Sequence, residues 1–283
     1  MPAHTSSTAL APTRGSYGRE TPRPLRPFAS RLRDDLPVNP PYEGLLAEAY
    51  DAWIPVDAEF PDDAVHEAVV REGDGPALEL GCGTGRPLLR FLEAGLDVEG
   101  IDSSADMLAV CRRHAAERGL DPVLHHGSMA PLALDRAYAT VFCPAGSFSL
   151  LDDREVALGA LTSWIERLRP GGTLALTMSV PVDDFDARFE WRVRRTGTRP
   201  TDGATIVVHE AVACDRAAQL QVTYNRVEVW DVAGQLVRSL LRRHHLRWWE
   251  RAEFEEVLTR LGLVQVQSLG DDAGWVAVAR RPG

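Results

Sequence analysis

The sequence predicts an α/β protein in which a parallel β-sheet is covered by helices on both faces. Three observations support this prediction. Short apolar runs alternate with segments of helical period between residues 77 and 179, a glycine-rich turn follows the first of these runs, and after Pro181 the pattern changes to longer alternating strands. Repeated strand–helix units favour a parallel sheet, whereas long strands joined by short turns favour an antiparallel one.

The composition is that of a folded, acidic protein. The chain has 283 residues, 45% of them hydrophobic and 25% charged, with a formal net charge of −10. This balance argues against a protein that grips nucleic-acid phosphates, because that contact needs clustered basic charge. No apolar run approaches the roughly 20 residues of a membrane helix. The four cysteines form no Cys-x-x-Cys pair, which predicts reduced thiols in a cytoplasmic protein and no metal site.

The N-terminal region is rich in Pro, Ser, Thr and Arg and has no apolar period, so we expect a flexible tail over residues 1–39. Residues 42–53 have apolar side chains at helical spacing, and a second short helix is expected over residues 62–71, after Pro61. The strand–helix alternation then begins. We expect parallel strands at 77–80, 98–101, 123–125, 139–143 and 173–179, with one helix that ends at residue 92 and others at 105–118 and 154–168.

After Pro181 the periodicity changes to that of an inserted antiparallel sheet. Three longer strands are expected at 205–212, 219–230 and 236–248, and the arginine-rich stretch before them is expected to be a solvated loop. A helix over 251–261 and a closing antiparallel hairpin of strands 264–268 and 275–279 complete the chain. The expected domains are therefore a tail (1–39), an α/β core (40–180), an insertion that serves as a substrate lid or a homodimer surface (181–247), and a C-terminal helix and hairpin that complete the core (248–283).

The strongest chemical signal is the segment ELGCGTG, residues 79–85, at the tip of the first strand. Glycines at this position let the backbone turn sharply and approach a ligand. The G-x-G-x-G spacing differs from the G-x-G-x-x-G of dinucleotide dehydrogenases. Glu79 would repel a pyrophosphate and attract the ammonium of a bound amino acid. S-Adenosylmethionine has that ammonium and no phosphate.

Three further positions fit the same ligand. Asp102 lies seventeen positions after the last glycine, at the end of the second strand, where a carboxylate can accept hydrogen bonds from both ribose hydroxyls. Met107 follows one helical turn later and can lie against a flat adenine ring. In the segment Gly127-Ser128-Met129, a backbone N–H can bind an adenine ring nitrogen, and the serine hydroxyl can meet the adenine amino group.

Together these features resemble class I S-adenosylmethionine-dependent methyltransferases, whose fold is a Rossmann-like doubly wound sheet. The resemblance extends over residues 42–283 and implies S-adenosyl-L-methionine as the cofactor. Tyr50 matches a tyrosine that closes over the cofactor in small-molecule relatives, while Ser128 stands where many relatives have Asp. The cofactor-binding residues that the resemblance implies are Tyr50, Glu79, Gly81, Cys82, Gly83, Asp102, Ser103, Met107, Gly127, Ser128, Met129 and Cys143.

Residues 142–148 match the family's loop beside the reactive methyl group. They lack the Asn/Asp-Pro-Pro-aromatic pattern of enzymes that methylate nucleic-acid bases or protein glutamine. The antiparallel insertion resembles that of actinobacterial natural-product enzymes, among them N-methyltransferases of amino sugars and of glycopeptide antibiotics. The resemblance therefore implies N- or O-methylation of a small molecule, a secondary metabolite.

Candidate substrate and catalytic residues come mostly from the insertion. Strand alternation places His244 and His245 on opposite faces, so one of them can face the substrate as a base, unless both are structural. Arg226 and Glu228 share a face with aromatic side chains, which suits either a substrate pocket or a cross-strand ion pair. The catalytic candidates are His244, His245 and Glu228, and the substrate-binding candidates are Ser147, Phe148, Trp191, Tyr224, Arg226 and Trp230.

Two alternatives to methyl transfer remain open from the sequence. A cofactor-binding protein of the same fold, used for a rearrangement or for regulation, would have the same pocket. An NAD(P)-dependent oxidoreductase is opposed by the glycine spacing and by Glu79.

Overall fold

The structure, a computed structural model, describes residues 36–181, 190–199, 201–271 and 273–283. Most of the expected tail lies outside these residues. The helices are α1 (Leu45–Trp53), α2 (Asp63–Glu72), α3 (Leu88–Glu93), α4 (Ala105–Glu117), α5 (Arg154–Glu166) and α6 (Arg251–Arg260). The strands are β1 (Ala77–Leu80), β2 (Val98–Asp102), β3 (Leu124–His126), β4 (Tyr138–Cys143), β5 (Leu168–Ser179), β6 (Arg192–Thr198), β7 (Thr205–Asp215), β8 (Leu220–Trp230), β9 (Leu236–Arg247), β10 (Val264–Gly270) and β11 (Gly274–Arg280).

The strands form two sheets. The larger has seven strands in the order β10-β11-β5-β4-β1-β2-β3, and the smaller has four in the order β6-β7-β8-β9. In the larger sheet β1 to β5 pair in parallel, and β11 pairs antiparallel with both β5 and β10. The predicted α/β class, with a closing hairpin and an inserted antiparallel sheet, is confirmed.

The central strands are buried because helices cover both faces of the larger sheet. All the residues of β1 and β4 are buried. Leu78 and Leu80 belong to the core beside α5, whereas Ala77 belongs to the core beside α3 and α4. The chain winds in one direction from β1 to β3 and in the other through β4 and β5. The carboxyl ends of β1 and β4 therefore flank the crevice where ligands bind in open α/β sheets.

The start of α4 holds the segment before α1 against this crevice. Ser104 caps α4 by accepting a hydrogen bond from the Met107 backbone N–H at 3.1 Å, and its hydroxyl donates to the Tyr42 carbonyl oxygen at 2.6 Å. Asp106, the second residue of the helix, accepts a hydrogen bond from the Gly44 backbone N–H at 2.6 Å. The side chains of Ser104 and Asp106 therefore hold the backbone at Tyr42 and Gly44 against the start of α4.

Two elements differ from the sequence-based expectation. β5 begins at Leu168 and not at residue 173, because Leu168 pairs with Tyr138 and the turn at 170–172 is a bulge within the strand. The arginine-rich stretch, expected as a loop, contains the edge strand β6, whose backbone pairs with β7. Nearly all β6 side chains are exposed, so no apolar alternation marks this strand in the sequence.

Helix α1 covers one face of the four-stranded sheet, which we call the inner face. Leu45 and Leu46 of α1 form a core with Ile206, Val208 and Val227 of the sheet. None of the described helices packs in this way on the opposite face, which we call the outer face. None of the described helices is long and apolar enough to span a membrane.

The chain reaches the inserted sheet before α1 begins. Val38 forms a parallel bridge with Arg243 of β9. The Asn39 side chain accepts a hydrogen bond from the His245 backbone N–H at 2.9 Å and donates one to the Leu150 carbonyl oxygen at 2.7 Å. These two residues, which the sequence assigned to the tail, therefore join β9 to the loop after β4.

Candidate active site

A cavity of about 560 Å³ lies in the crevice at the carboxyl ends of the parallel strands. Its walls are the glycine-rich turn after β1, the end of β2, the start of α4, the turn after β3, the loop after β4, the segment 39–42 and part of β9. The sequence-predicted residues that line it are Tyr50, Gly81, Gly83, Asp102, Ser103, Met107, Gly127, Ser128, Met129, Ser147 and His244.

The glycine-rich turn needs glycine for its backbone shape and for space. Gly81 and Gly83 have φ angles of 70° and 54°, in the left-handed region that favours glycine. A Cβ at Gly83 would lie 3.2 Å from the Met107 methyl carbon, and one at Gly81 would lie 3.1 Å from Ser147. Bare backbone therefore forms the cavity wall at this turn.

Asp102 is fixed by two backbone donors. Its Oδ2 accepts a hydrogen bond from the Gly83 N–H at 2.9 Å, and its Oδ1 accepts one from the Ser104 N–H at 2.8 Å. Burial raises the pKa of this carboxyl, and the same two hydrogen bonds oppose the rise. Each carboxylate oxygen can accept a further hydrogen bond, so the group can still receive two hydroxyl donors from the cavity.

Glu79 is a buried acid without a donor, just behind the cavity wall. Its exposure is 0%, and among the described residues neither carboxylate oxygen accepts a hydrogen bond. Burial raises the pKa of Glu79 well above its ordinary value; Arg86 opposes the rise, and Asp63 and Asp102 add to it. A buried carboxylate that accepts no hydrogen bond is stabilised by a cationic donor. The ammonium of S-adenosylmethionine is such a donor, so Glu79 fits the cofactor.

A buried ion pair ties the glycine-rich turn to α2. Arg86 directly follows the turn, and its Nη1 lies 2.9 and 3.1 Å from the two carboxylate oxygens of Asp63. Arg90 adds a longer contact to Asp63 at 3.2 Å. The Arg86 guanidinium also lies 3.7 Å from the centre of the Phe60 ring, which lines the cavity. The pair therefore sets the position of α2 relative to the turn.

The loop after β4 is held by a second buried acid. Asp62 Oδ2 accepts hydrogen bonds from the Ala145 N–H at 2.9 Å and from the Thr177 hydroxyl at 2.6 Å. His66 Nε2 lies 2.7 Å from the same hydroxyl oxygen. Burial favours a higher pKa for Asp62, but the hydrogen bonds from His66, Thr177 and Ala145 together hold the pKa below its ordinary value. The carboxylate therefore stays charged and positions the loop that bears Ser147.

Three of the sequence-predicted residues, Cys82, Cys143 and Phe148, lie in the core and do not line the cavity. The thiols of Cys82 and Cys143 are buried, and burial raises the pKa of both well above the ordinary range, so they are neutral. Phe148 packs in the core against Trp164 and Phe254, with ring centroids 5.5 and 5.6 Å away. Cys and Phe are among the side chains most often buried, and here all three residues pack in the core.

Ser128 lines the cavity, but its hydroxyl is already used in a local turn. It donates to the Ala130 carbonyl oxygen and accepts from the Ala130 N–H, both at 2.9 Å. A hydroxyl oxygen has two acceptor lone pairs. Ser128 can therefore meet an amino group only as an acceptor, which is the role that an adenine amino group requires.

A second cavity, of about 470 Å³, lies between α1 and the inner face of the four-stranded sheet. None of the glycine-rich turn, Asp102 or Met107 lines it. The two cavities share part of their walls, so the site consists of two adjoining chambers, which we call the first and the second chamber. The shared residues are Tyr42, Tyr50, Ala145, Val180, Pro181, Gln221, Arg242, His244 and Leu246.

Several substrate and catalytic candidates lie outside both chambers. Strand pairing puts Tyr224, Arg226, Glu228 and His245 on the outer face, away from α1. The Glu228 carboxylate oxygens lie 2.9 Å from Arg226 Nε and 3.1 Å from His209 Nε2. Arg226 and Glu228 both belong to β8, so their ion pair lies within one strand and only the contact with His209 of β7 crosses strands. On the outer face these residues form an ion pair rather than a pocket, although not the cross-strand pair that was the alternative.

The outer-face candidates His245 and Trp230 contact, through their side chains, residues that line neither chamber. His245 Nδ1 lies 2.8 Å from an Asp152 carboxylate oxygen, and the Trp230 indole N–H donates to Glu228 at 3.3 Å. The Arg226 guanidinium lies 5.5 Å from the centre of the Trp191 ring. Polar residues occur on both faces of β8 and β9, so alternation alone does not indicate which face α1 covers.

The inner face carries polar side chains that sequence reasoning did not single out. Asn225 and Arg242 are 3% and 4% exposed and stand directly opposite each other on β8 and β9. His244, at the junction of the chambers, has an Nδ1 without a hydrogen-bond partner among the described residues. Burial lowers the pKa of His244 to about 3, and the charges of Arg242 and His245 contribute. A signal for Asn225 was present, since it shares a strand face with the apolar Val227.

The family comparison matches the part of the chain that forms the first chamber. Residues 77–172 match the methyltransferase domain family. This range contains the glycine-rich turn, Asp102, the turn after β3 and the loop after β4. The match supports methyl transfer and does not favour the alternative of an NAD(P)-dependent oxidoreductase.

Two curated relatives are similar to this chain over longer stretches than the family match. The chain is 27% identical over 230 residues to the dTDP-3-amino-3,6-dideoxy-alpha-D-glucopyranose N,N-dimethyltransferase of Streptomyces fradiae, which covers 78% of this chain and 85% of that protein. It is 29% identical over 188 residues to the dTDP-3-amino-3,4,6-trideoxy-alpha-D-glucopyranose N,N-dimethyltransferase of Streptomyces venezuelae, covering 66% of this chain and 74% of that protein.

Solved structures show the same architecture. The CcbJ methyltransferase from Streptomyces caelestis superposes with a TM-score of 0.66 at 25% identity, over 87% of this chain and 99% of that one. An S-adenosylmethionine-dependent methyltransferase from Clostridium acetobutylicum gives the same TM-score, 0.66, at 17% identity over 84% of this chain and 98% of that one, which shows a shared fold.

Proposed function

Because the chain is an S-adenosylmethionine-dependent methyltransferase, we propose that it methylates the nitrogen of a small-molecule amine in a natural-product pathway, an amino sugar being the first candidate. The observation that supports this proposal is the pair of adjoining chambers. The first has the glycine-rich turn and Asp102, and the second has none of these. A cofactor and a small substrate can therefore bind side by side and meet at the shared wall.

In this proposal the first chamber holds the cofactor, which supplies an activated methyl group on a sulfonium. Asp102 accepts hydrogen bonds from the ribose hydroxyls, Met107 lies against the adenine ring, and the Glu79 carboxylate balances the charge of the ammonium. Tyr50 belongs to the shared wall. It can therefore separate the cofactor from bulk water, and much of the enzyme's contribution is to hold the two reactants in line.

The second chamber binds the substrate, with His244 at the junction. With a pKa of about 3 the imidazole is neutral at physiological pH, and its unpaired Nδ1 can accept a hydrogen bond from an amine N–H. That contact would orient the nitrogen lone pair toward the first chamber. Such a weak base would contribute little to removing a hydroxyl proton, because efficient bases have a pKa near the working pH. The geometry therefore favours N-methylation over O-methylation.

The names of the two curated relatives support an amino sugar as the substrate. Both curated relatives are N,N-dimethyltransferases of dTDP-linked 3-amino sugars. We propose the same class of substrate for this chain, together with a cytoplasmic location and no nucleic-acid partner. A homodimer surface is the alternative role of the inserted sheet.

The test is to incubate the purified protein with S-adenosylmethionine and dTDP-3-amino-3,6-dideoxyglucose. The matched control is the sugar nucleotide that has a hydroxyl in place of the 3-amino group. We expect S-adenosylhomocysteine and an N-methylated product from the amine and no product from the hydroxy sugar. His244→Asn should lower kcat, whereas His209→Asn, on the outer face, should not. Binding of S-adenosylhomocysteine without turnover of this or any other amine in a broader panel would instead favour a protein that does not transfer methyl groups.

A further inference from the structure

Arg242 is a buried cation without a counter-charge. It is 4% exposed, and no carboxylate of the described residues lies within ion-pair distance of it. Its Nε–H makes no hydrogen bond, and its Nη2 lies 3.4 Å from the Pro40 carbonyl oxygen. The Tyr42 ring, 3.9 Å from the guanidinium carbon, compensates only part of the desolvation. A buried cation without a counter-charge is stabilised by an anionic partner.

A second unpaired donor stands beside the guanidinium. Asn225 is paired directly opposite Arg242, and its buried side-chain nitrogen has no hydrogen-bond partner among the described residues. Directly opposed residues in an antiparallel sheet have Cβ atoms about 5 Å apart. On the far side of Asn225, Glu210 is already 3.6 Å from Arg194 Nε. Two free donors thus lie together, which is the arrangement that the oxygens of a carboxylate or phosphate fit.

We propose that Arg242 and Asn225 form a binding site for an oxoanion, the carboxylate or phosphate group of the substrate. The proposal rests on the proposed assignment of the second chamber to the substrate. His244 is the next residue on the same face of β9, and successive residues on one face are about 7 Å apart. The anionic group and the nitrogen that is methylated would therefore be bound by neighbouring side chains of one strand face.

The cofactor offers the same chemistry, because S-adenosylmethionine has a carboxylate. Arg242 lines both chambers, so its position alone fits either source. Asn225 lines only the second chamber. The paired donors therefore favour the anion of the substrate over that of the cofactor.

The experiment measures anion binding in the presence of the cofactor product. Protein saturated with S-adenosylhomocysteine is titrated with inorganic phosphate by calorimetry, at constant ionic strength. Wild type, Arg242→Gln and Asn225→Ala are compared with Arg238→Gln, which removes a half-exposed arginine on the same face of the same strand. We expect phosphate binding to weaken about tenfold in Arg242→Gln and severalfold in Asn225→Ala, and to stay unchanged in Arg238→Gln.

S-Adenosylhomocysteine affinity, measured separately, should be equal in all four proteins, and Arg242→Lys should recover part of the phosphate binding. Equal phosphate affinity in wild type and Arg242→Gln, or no saturable binding to wild type, overturns the proposal. So does a tenfold loss of S-adenosylhomocysteine affinity in Arg242→Gln that disappears with the decarboxylated analogue, since that result assigns Arg242 to the cofactor. None of these outcomes changes the amine-methylation assay, whose failure counts against the proposed function alone.

Discussion

At the scale of single residues, Asp102 joins the fold to the proposed cofactor site. Its carboxylate accepts hydrogen bonds from the Gly83 and Ser104 backbones and lines the first chamber. We expect Asp102→Ala to weaken S-adenosylhomocysteine binding by roughly one to two orders of magnitude, because charge-assisted hydrogen bonds contribute about 1.5–3 kcal/mol each. Calorimetric titration measures the affinity, and circular dichroism checks that the variant is folded. An unchanged affinity would contradict the assigned role.

His244 makes the stability of the protein depend on pH. Burial, with the charges of Arg242 and His245, lowers the pKa of this imidazole to about 3, whereas an unfolded chain has a pKa of about 6.5. Between those values only the unfolded chain binds the proton. The free energy of unfolding should therefore fall as the pH drops below about 6.5, by at most about 1.4 kcal/mol per pH unit from this group.

The measurement for His244 is urea denaturation of wild type and His244→Gln from pH 7 to pH 4.5. Other titrating groups are common to both proteins and cancel in the comparison. Wild type should lose stability more steeply than the variant over this interval. Parallel curves would show that the imidazole is protonated equally in the folded and unfolded states.

At the scale of elements, the contact between α2 and the glycine-rich turn depends on the buried pair Asp63–Arg86. Asp63→Asn would leave the Arg86 charge buried and unpaired, which typically costs about 3–5 kcal/mol. The matched control is Glu67→Gln, which breaks the exposed pair of Glu67 with Arg71 on the same helix. Exposed pairs contribute about 1 kcal/mol or less.

Urea denaturation with calorimetric S-adenosylhomocysteine titration checks the Asp63 prediction. Asp63→Asn should lose both stability and cofactor affinity, because Arg86, the buried partner of Asp63, directly follows the glycine-rich turn. Equal losses in Asp63→Asn and Glu67→Gln would mean that the pair does not position the turn.

At the scale of the whole molecule, the segment before α1 closes the first chamber by long-range contacts. Asn39 and Pro40 line the chamber, and Asn39 also bonds to β9 and to the loop after β4. We expect removal of residues 1–33 to leave folding and turnover unchanged, as their composition cannot bury enough apolar surface to order itself. Removal of residues 1–40 should leave the core folded and lower kcat/KM.

The two truncations are compared by thermal unfolding and by S-adenosylhomocysteine formation. The shorter deletion is the control for the longer one, since both lack the same tail. Loss of turnover in the shorter deletion, with the fold intact, would show that the tail itself contributes to the active site.

The cofactor half of the site was largely predictable because its signals are contiguous in the chain. The glycine-rich turn, Asp102 and Met107 follow one another through a single β1–α3–β2–α4 stretch, and apolar period alone places each at a strand end or helix start. Their geometry could be inferred because the carboxyl ends of neighbouring parallel strands meet at one edge. Whether each of these residues binds the cofactor stays a prediction that the variants above address.

The sequence by itself determined the fold class, the order of the elements and the cofactor motif, since these depend on short-range periodicity. Only the tertiary structure decided that His244, Asn225 and Arg242 face the chambers while Glu228 and His245 do not. A strand's period of two separates residues into two faces without naming the covered one, and here the packing of α1 makes that choice. Contacts between residues 206 positions apart, such as Asn39 with His245, leave no local pattern at all.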